Sequence, residues 1–441
     1  MLRKGILLSA AAGLMTAMPA AAAPDYAGAI KADYDKSLGA LWDHFHRNPE
    51  LSFREFNTAA RMAKELRAIP GMVVTEKVGQ TGVVGVLKNG DGPVVLVRAD
   101  MDGLPVEEKS GVANASKVRQ IGVDGIENPV MHACGHDVHI TSMVGTARQL
   151  AAMKDRWKGT VLFIVQPAEE RVGGAEAMLK DGLYTRFPKP NYALAFHIAA
   201  ELPTGHIAAA EGIQYSSADS VDIKVNGVGT HGAAPQLGKD PIYIASQIVV
   251  ALQGIISREK GPLEPGIITV GAFHAGTKHN IISDQANLQI TVRANSRETR
   301  DMLIESIKRV ATNVARANGV AEDKLPEVKI SESTPVTIND AALARRLNTA
   351  LSKELGDGVV VPFHQTNMGA EDFSYFVDPS FNIPGYYFAV GGTNPAWIDA
   401  AKNGGPPISG HHSGLFKIDP EPSVRLGTEA MTAAVIELLK P

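Results

Sequence analysis

The chain has 441 residues, which on ordinary domain sizes points to two or three domains. Hydrophobic residues at 44% and charged residues at 20% mark a globular rather than a disordered chain. A net charge of -4 with no basic cluster argues against a nucleic-acid partner, and the single cysteine excludes an intramolecular disulfide.

The first residues, Met-Leu-Arg-Lys, lead into an apolar stretch from Gly5 to about Met18 and then Pro19-Ala-Ala-Ala-Ala23. A basic start, a short apolar segment and small residues predict a secretory signal peptide over 1–23, with an exported product, periplasmic or secreted. The apolar stretch is short for a bilayer span, which needs about 20 residues. No later segment reads as a span, so no stable membrane span is expected after cleavage.

Three apolar runs follow. Val94-Val-Leu-Val97 leads into Asp100 and Asp102, Val161-Leu-Phe-Ile-Val165 into Glu169-Glu170, and Ala193-Leu-Ala-Phe196 ends at His197. Runs of this kind read as strands buried on both faces, hence parallel. With helices predicted at Asn57–Ala68 and Val138–Met153, they describe an α/β, doubly wound, mostly parallel sheet, in which ligands sit beyond the carboxyl ends of the strands. This catalytic domain is expected over 24–214 and again over 333–441. In between, Val221, Ile223 and Val225 alternate with polar residues. A helix at Pro241–Ile256, strands at Gly266–Phe273 and Ala286–Ala294, a helix at Ser296–Asn318 and a strand at Glu327–Ser331 complete the order βαββαβ. That order is ferredoxin-like and predicts a smaller inserted domain over 215–332. Asn295 and Glu298 have capping-box spacing at its second helix. The remaining elements are a helix at Ala341–Leu355, a strand at Gly385–Val390 and a helix at Pro422–Leu439.

Chemistry gathers at the predicted strand ends. In Met131-His132-Ala-Cys134-Gly-His136-Asp137-Val-His139, Cys134 and His136 are transition-metal ligand types two residues apart, and Asp137 is placed to orient an imidazole. The competing reading is a His-rich turn beside a buried thiol. Glu169-Glu170 weighs against it, since adjacent carboxylates are costly unless cations are near: one can ligate while the other holds water. With His197 and His412, the set Cys134, His136, Glu170, His197 and His412 suits two metal ions.

These residues resemble the M20 metallopeptidases, and within them the amidohydrolase branch of N-acyl-amino-acid, hippurate and auxin-conjugate hydrolases. The matching motifs are His46-Arg-Asn-Pro-Glu50-Leu-Ser-Phe53, Arg98-Ala-Asp-Met-Asp-Gly-Leu-Pro105, Met131–Asp137, Gln166-Pro-Ala-Glu-Glu170, Thr230-His-Gly-Ala-Ala-Pro235, Asn280-Ile-Ile-Ser-Asp284, Thr291-Val-Arg293, Met368-Gly-Ala-Glu-Asp-Phe373 and His411-His-Ser-Gly414. The resemblance implies a zinc-peptidase-like catalytic domain and two divalent ions, zinc or manganese first, cobalt or nickel next. Cys134 stands where relatives bridge the ions with a carboxylate, and His136, Glu170, His197 and His412 complete the ligands. It implies Glu169 as the general base that activates a bridging water, and Asp102 as a residue behind the ligands. It further implies His231 as the group reaching the scissile carbonyl, sometimes across a dimer, and Asn280, Arg293 and Gly369 as substrate binders. Arg293 suits a carboxylate, which guanidinium grips in bidentate fashion. The expected reaction is hydrolysis of the amide of a small N-acyl amino acid or dipeptide, with a homodimer through the inserted domain left open. The alternatives are an M20-type carboxypeptidase or dipeptidase, and a non-catalytic exported metal- or ligand-binding protein. A zinc nucleobase deaminase is excluded, because its second signature cysteine is missing. The segment Val112–Pro129 is longer than in short relatives and reads as a lid, a pocket wall or a surface loop.

Overall fold

The computed structural model describes residues 26–441; the expected leader at 1–23 lies outside the described residues. Eight strands form the large sheet: β1 (Met72–Val78), β2 (Gly82–Asn89), β3 (Val94–Asp100), β4 (Gly159–Gln166), β5 (Tyr192–Pro203), β6 (Ile207–Ala209) and, after an inserted segment, β11 (Val360–Pro362) and β12 (Gly385–Thr393). Their spatial order is β1-β2-β4-β3-β5-β12-β6-β11. The central four, β4, β3, β5 and β12, are mutually parallel, and β1 and β2 add an antiparallel edge. The apolar runs predict this centre because helices cover both faces. Val95 and Val97 enter one core with α1 (His136–Ala152) and α5 (Pro420–Leu439), while Leu96 enters the core on the opposite face with Met178, Phe373 and Phe376.

The inserted segment makes its own four-stranded antiparallel sheet: β7 (Ser217–Asn226), β8 (Gly266–Ala275), β9 (Gln285–Ala294) and β10 (Glu327–Thr334), ordered β8-β9-β7-β10. Helices α2 (Pro241–Gly254) and α3 (Arg297–Ala317) cover one face. Val221, Ile223, Val225, Leu288, Ile290, Ile248, Leu252, Leu303 and Ile307 share a core separate from the large one. After it the chain returns through α4 (Ala341–Leu355) to the large sheet.

Three local readings are corrected. The cap of α3 is Ser296, whose side chain accepts the Thr299 N–H, while Asn295 Oδ1 accepts from Ser216 instead. Strand β5 does not stop at His197 but runs to Pro203, because β12 pairs with it along that length, Ala389 opposite His197. The stretch Pro241–Glu259 has the length and hydropathy of a span (19 residues, mean hydropathy 1.2), unlike the reading of no such segment after the N-terminus. Its Ile244, Ala245, Ile248, Leu252 and Ile255 are buried in the small domain's core.

Candidate metal centre and cavity

The site lies at the carboxyl ends of β3 and β4 and at His197, partway along β5, on the side where parallel sheets bind ligands. Beyond Arg98 and Ala195, β3 and β5 no longer pair, so His197 faces the open rim although its strand continues. After β4, the chain turns through Ala168 (φ 48°) into a short helical turn, Glu169–Arg171, and leaves through Val172 (φ 45°). His412 sits in a turn, not at a strand end as expected, also with positive φ (64°). Non-glycine residues held in the left-handed region on both sides of the Glu pair and at His412 are strain kept by the surrounding contacts, a feature that clusters at functional sites.

Cys134, at the turn before α1, is the hub. Its Sγ lies 3.3 Å from His197 Nε2 and 3.4 Å from His412 Nε2. His412 Nε2 is also 3.4 Å from Glu170 Oε2, and His136 Nε2 is 3.9 Å from Glu169 Oε2 and from Glu170 Oε1. The other ring nitrogens fix the tautomers. His136 Nδ1–H donates to the Asp102 carbonyl (2.9 Å) and His197 Nδ1–H to the Ile198 carbonyl (2.6 Å). Both Nε2 atoms therefore face one space, each a ligand atom in the neutral ring. His136 Nε2 and Glu170 Oε1 are buried with no hydrogen-bond partner among the described residues. Cys134, His136 and His197, and likewise Cys134, Glu170 and His412, each offer ligand atoms within 4.8 Å of one another. Thiolate, imidazole and carboxylate converging with unsatisfied lone pairs fit divalent metal cations.

His139 is not part of this set. Its Nε2 accepts the Ile198 N–H (2.8 Å), so Nδ1 carries the proton and donates to Asp100 (2.5 Å). Nor does Asp137 orient a ligand imidazole: it accepts from His46 Nδ1 (2.8 Å), and the orienting acceptor for His136 is the Asp102 backbone.

Asp102 holds the Glu pair in place. Its carboxylate accepts the N–H groups of Glu169 and Glu170 (both 3.1 Å) and the Ser52 hydroxyl (2.6 Å). Glu55, fully buried, braces the same turn by accepting the Ala168 N–H (2.9 Å), the Phe53 N–H (2.8 Å) and the Thr81 hydroxyl (2.6 Å). Behind Glu169 lies a saturated network. Buried Arg98 donates to Asp100 (2.5 Å), Glu371 (2.7 Å), Asp372 (3.1 Å) and Gln166 (2.8 Å), and Tyr387 donates to Glu371 (2.5 Å). Glu55 and the Glu371-Asp372 pair had no role in the sequence reading. The acidic dipeptide inside Met368–Phe373 was the available signal for the second.

Electrostatics follow this layout. Burial, then the charges of Glu170 and Glu169, push the Cys134 thiol up; burial, then Glu371 and Glu170, push Glu169 up. Burial raises Glu170 to about 8 against the opposing pull of His136. At His136, burial works against the charged form but Asp100 and neighbouring carboxylates outweigh it and raise it to about 10. A crowded anionic pocket of this kind is one that cations would relieve.

The ligand set opens into a cavity of about 700 Å³, the size of a small-molecule site. Arg293 and Gly369 line it, with Tyr215, Phe363 and Met368. Arg293 is half-buried, its Nε bonded to Thr291 Oγ1 (3.2 Å), and burial lowers its pKa. His231 and Asn280 are not brought to this cavity; they line a second opening on the small domain, with Thr230 and Ile281. The Val112–Pro129 segment carries a short hairpin whose Gln120 ties Leu51 and Arg54, and Gly122 to Asp124 border a small opening that reaches Glu170.

The profile described as "Peptidase family M20/M25/M40" matches residues 96–402. A hippurate hydrolase of Campylobacter jejuni is 38% identical over 339 residues, 76% of this chain and 83% of the relative. Thermostable carboxypeptidase 2 of Saccharolobus solfataricus is 36% identical over 397 residues, 89% of this chain and 93% of the relative. The crystal structure of the Bacillus subtilis YXEP protein, described as a dinuclear metal-binding peptidase from the M20 family, superposes with a TM-score of 0.73 at 28% identity, covering 93% of this chain and 99% of that one. The chain belongs to peptidase family M20/M25/M40 and is a hydrolase of amide bonds.

Proposed function

We propose that the protein hydrolyses the amide bond of N-acyl amino acids, with Glu169 as general base. The observation that carries this reading is the convergence of His197 Nε2 and His412 Nε2 on Cys134 Sγ, beside the unpartnered His136 Nε2 and Glu170 Oε1. Two divalent ions held by Cys134, His136, Glu170, His197 and His412 would supply Lewis acidity and a water of lowered pKa. Glu169 makes no side-chain hydrogen bond to the protein among the described residues. Its backbone is fixed by Asp102, so its carboxylate is free to take a proton from water and return it to the departing amine. Arg293 grips the substrate carboxylate from the cavity wall, and Gly369 lets the substrate lie close to backbone there. His231 and Asn280 stand at another opening, so their part in the reaction would require a second copy of the chain, joined through the small domain.

The hippurate hydrolase relative supports an aromatic acyl glycine as a substrate, and the carboxypeptidase relative supports peptide C-termini as the second reading. The test is a panel run after loading with zinc or manganese. Release of free amino acid from N-benzoyl and N-acetyl amino acids supports the first reading. Cleavage confined to peptides selects the second, and cleavage of neither refutes both. Export is proposed from residues 1–23 alone; an N-terminus beginning near Pro24 on protein recovered outside the cytoplasm is the expected finding.

A further inference from the structure

We propose that Tyr215 is a further catalytic residue, its phenolic O–H donating to the carbonyl oxygen that becomes negative when the amide is attacked. This rests on the amide-hydrolase reading above. Tyr215 ends a short strand, Gly212–Tyr215, held by pairing with Thr337–Asn339, and the next residue's N–H is tied to the Gly369 carbonyl (2.8 Å). Its ring packs edge-on against Tyr387 (5.3 Å, 79°), whose own hydroxyl is anchored on Glu371. The ring is thus fixed on both sides, and it lines the cavity together with Cys134, Glu169 and Glu170.

Among the described residues no protein acceptor takes the Tyr215 hydroxyl. The neighbouring polar groups are committed elsewhere: Thr291 Oγ1 to Arg293, Asn367 Oδ1 to the Gly369 N–H (2.9 Å), Tyr387 to Glu371. A phenol, whose ordinary pKa is about 10, is protonated at neutral pH. It is therefore an O–H donor facing a pocket whose remaining groups are mostly acceptors. His231, the residue the resemblance assigned to the carbonyl, lies at a different opening in the same chain. A preorganised donor aimed at developing charge stabilises the transition state more than the ground state.

The test is Tyr215→Phe in the metal-loaded full chain, a change that removes one oxygen and leaves the ring packing. With N-benzoylglycine, kcat should fall about 10²-fold while KM moves less than about threefold. Metal content should be unchanged. A phosphinate mimic of the tetrahedral intermediate should bind correspondingly more weakly, whereas the product amino acid should bind as before. A kcat within about twofold of the parent, or equal weakening of mimic and product, overturns the assignment while leaving the amide-hydrolase reading intact. Failure of the parent enzyme both to turn over the panel and to bind the mimic overturns that reading and this inference together.

Discussion

On the sheet side of Glu169, every polar atom of the Arg98 cluster is matched: Arg98 grips Asp100, Glu371, Asp372 and Gln166, and Asp372 also accepts the Ala175 N–H (3.0 Å). On the cavity side, a few ångströms away, His136 Nε2 and Glu170 Oε1 are also buried and have no hydrogen-bond partner among the described residues. Proteins rarely leave buried polar atoms orphaned, because each costs about 1–3 kcal/mol. The first cluster is complete as folded and holds shape. The second is complete only with something added, and the types of atom left open say what.

That contrast breaks most sharply at the residue between the clusters. Glu169→Gln keeps the side chain's size and its backbone bonds to Asp102, so metal content should be retained while kcat falls about 10³-fold, read by amino-acid release from N-benzoylglycine. Near-normal turnover would remove Glu169 from the chemistry. Arg98→Met attacks the closed cluster instead. It strands Asp100, Glu371 and Asp372 without their cation and should destabilise the fold by about 3–5 kcal/mol in denaturant titration, with or without metal. A loss below about 1 kcal/mol would mean the cluster is not structural.

The smallest effect concerns His46, which joins Asp137 at the start of α1 to Glu108. Burial works against its charge, yet the hydrogen bonds to Asp137 and Glu108 outweigh it and raise it to about 10. A histidine raised in the folded state contributes stability that is whole below its unfolded value of about 6.5 and is lost as pH climbs through the folded one. Melting temperature should therefore decline between about pH 7 and 10, and His46→Gln should flatten that slope. An unchanged slope would show that His46 does not carry the charge.

The sheet was legible in the sequence because buried parallel strands are continuous apolar runs, and two of those runs lead into Asp102 and Glu169-Glu170, while Cys134 and His136 stood out by ligand type and spacing. The small domain was legible because Val221, Ile223 and Val225 alternate while Leu303, Ile307, Val310 and Val314 keep helical spacing. What stayed hidden depends on pairing across long separations. Periodicity in β5 does not reveal that β12 carries it past His197 to Pro203. The role of Glu55 requires Ala168, 113 positions away, and that of Glu371 requires Arg98, 273 away. Asp137 looked like the partner of a neighbouring histidine, but helix geometry turns it toward His46.

The most direct measurement is the binding of zinc or manganese to the metal-stripped chain by titration calorimetry, with elemental analysis of the product. About two ions per chain are expected for the parent and for Glu169→Gln, and a marked loss in Cys134→Ser, since that sulfur lies between His197 and His412. A parent chain that takes up no ion, or a Cys134→Ser chain that binds as tightly as the parent, would contradict the two-ion reading.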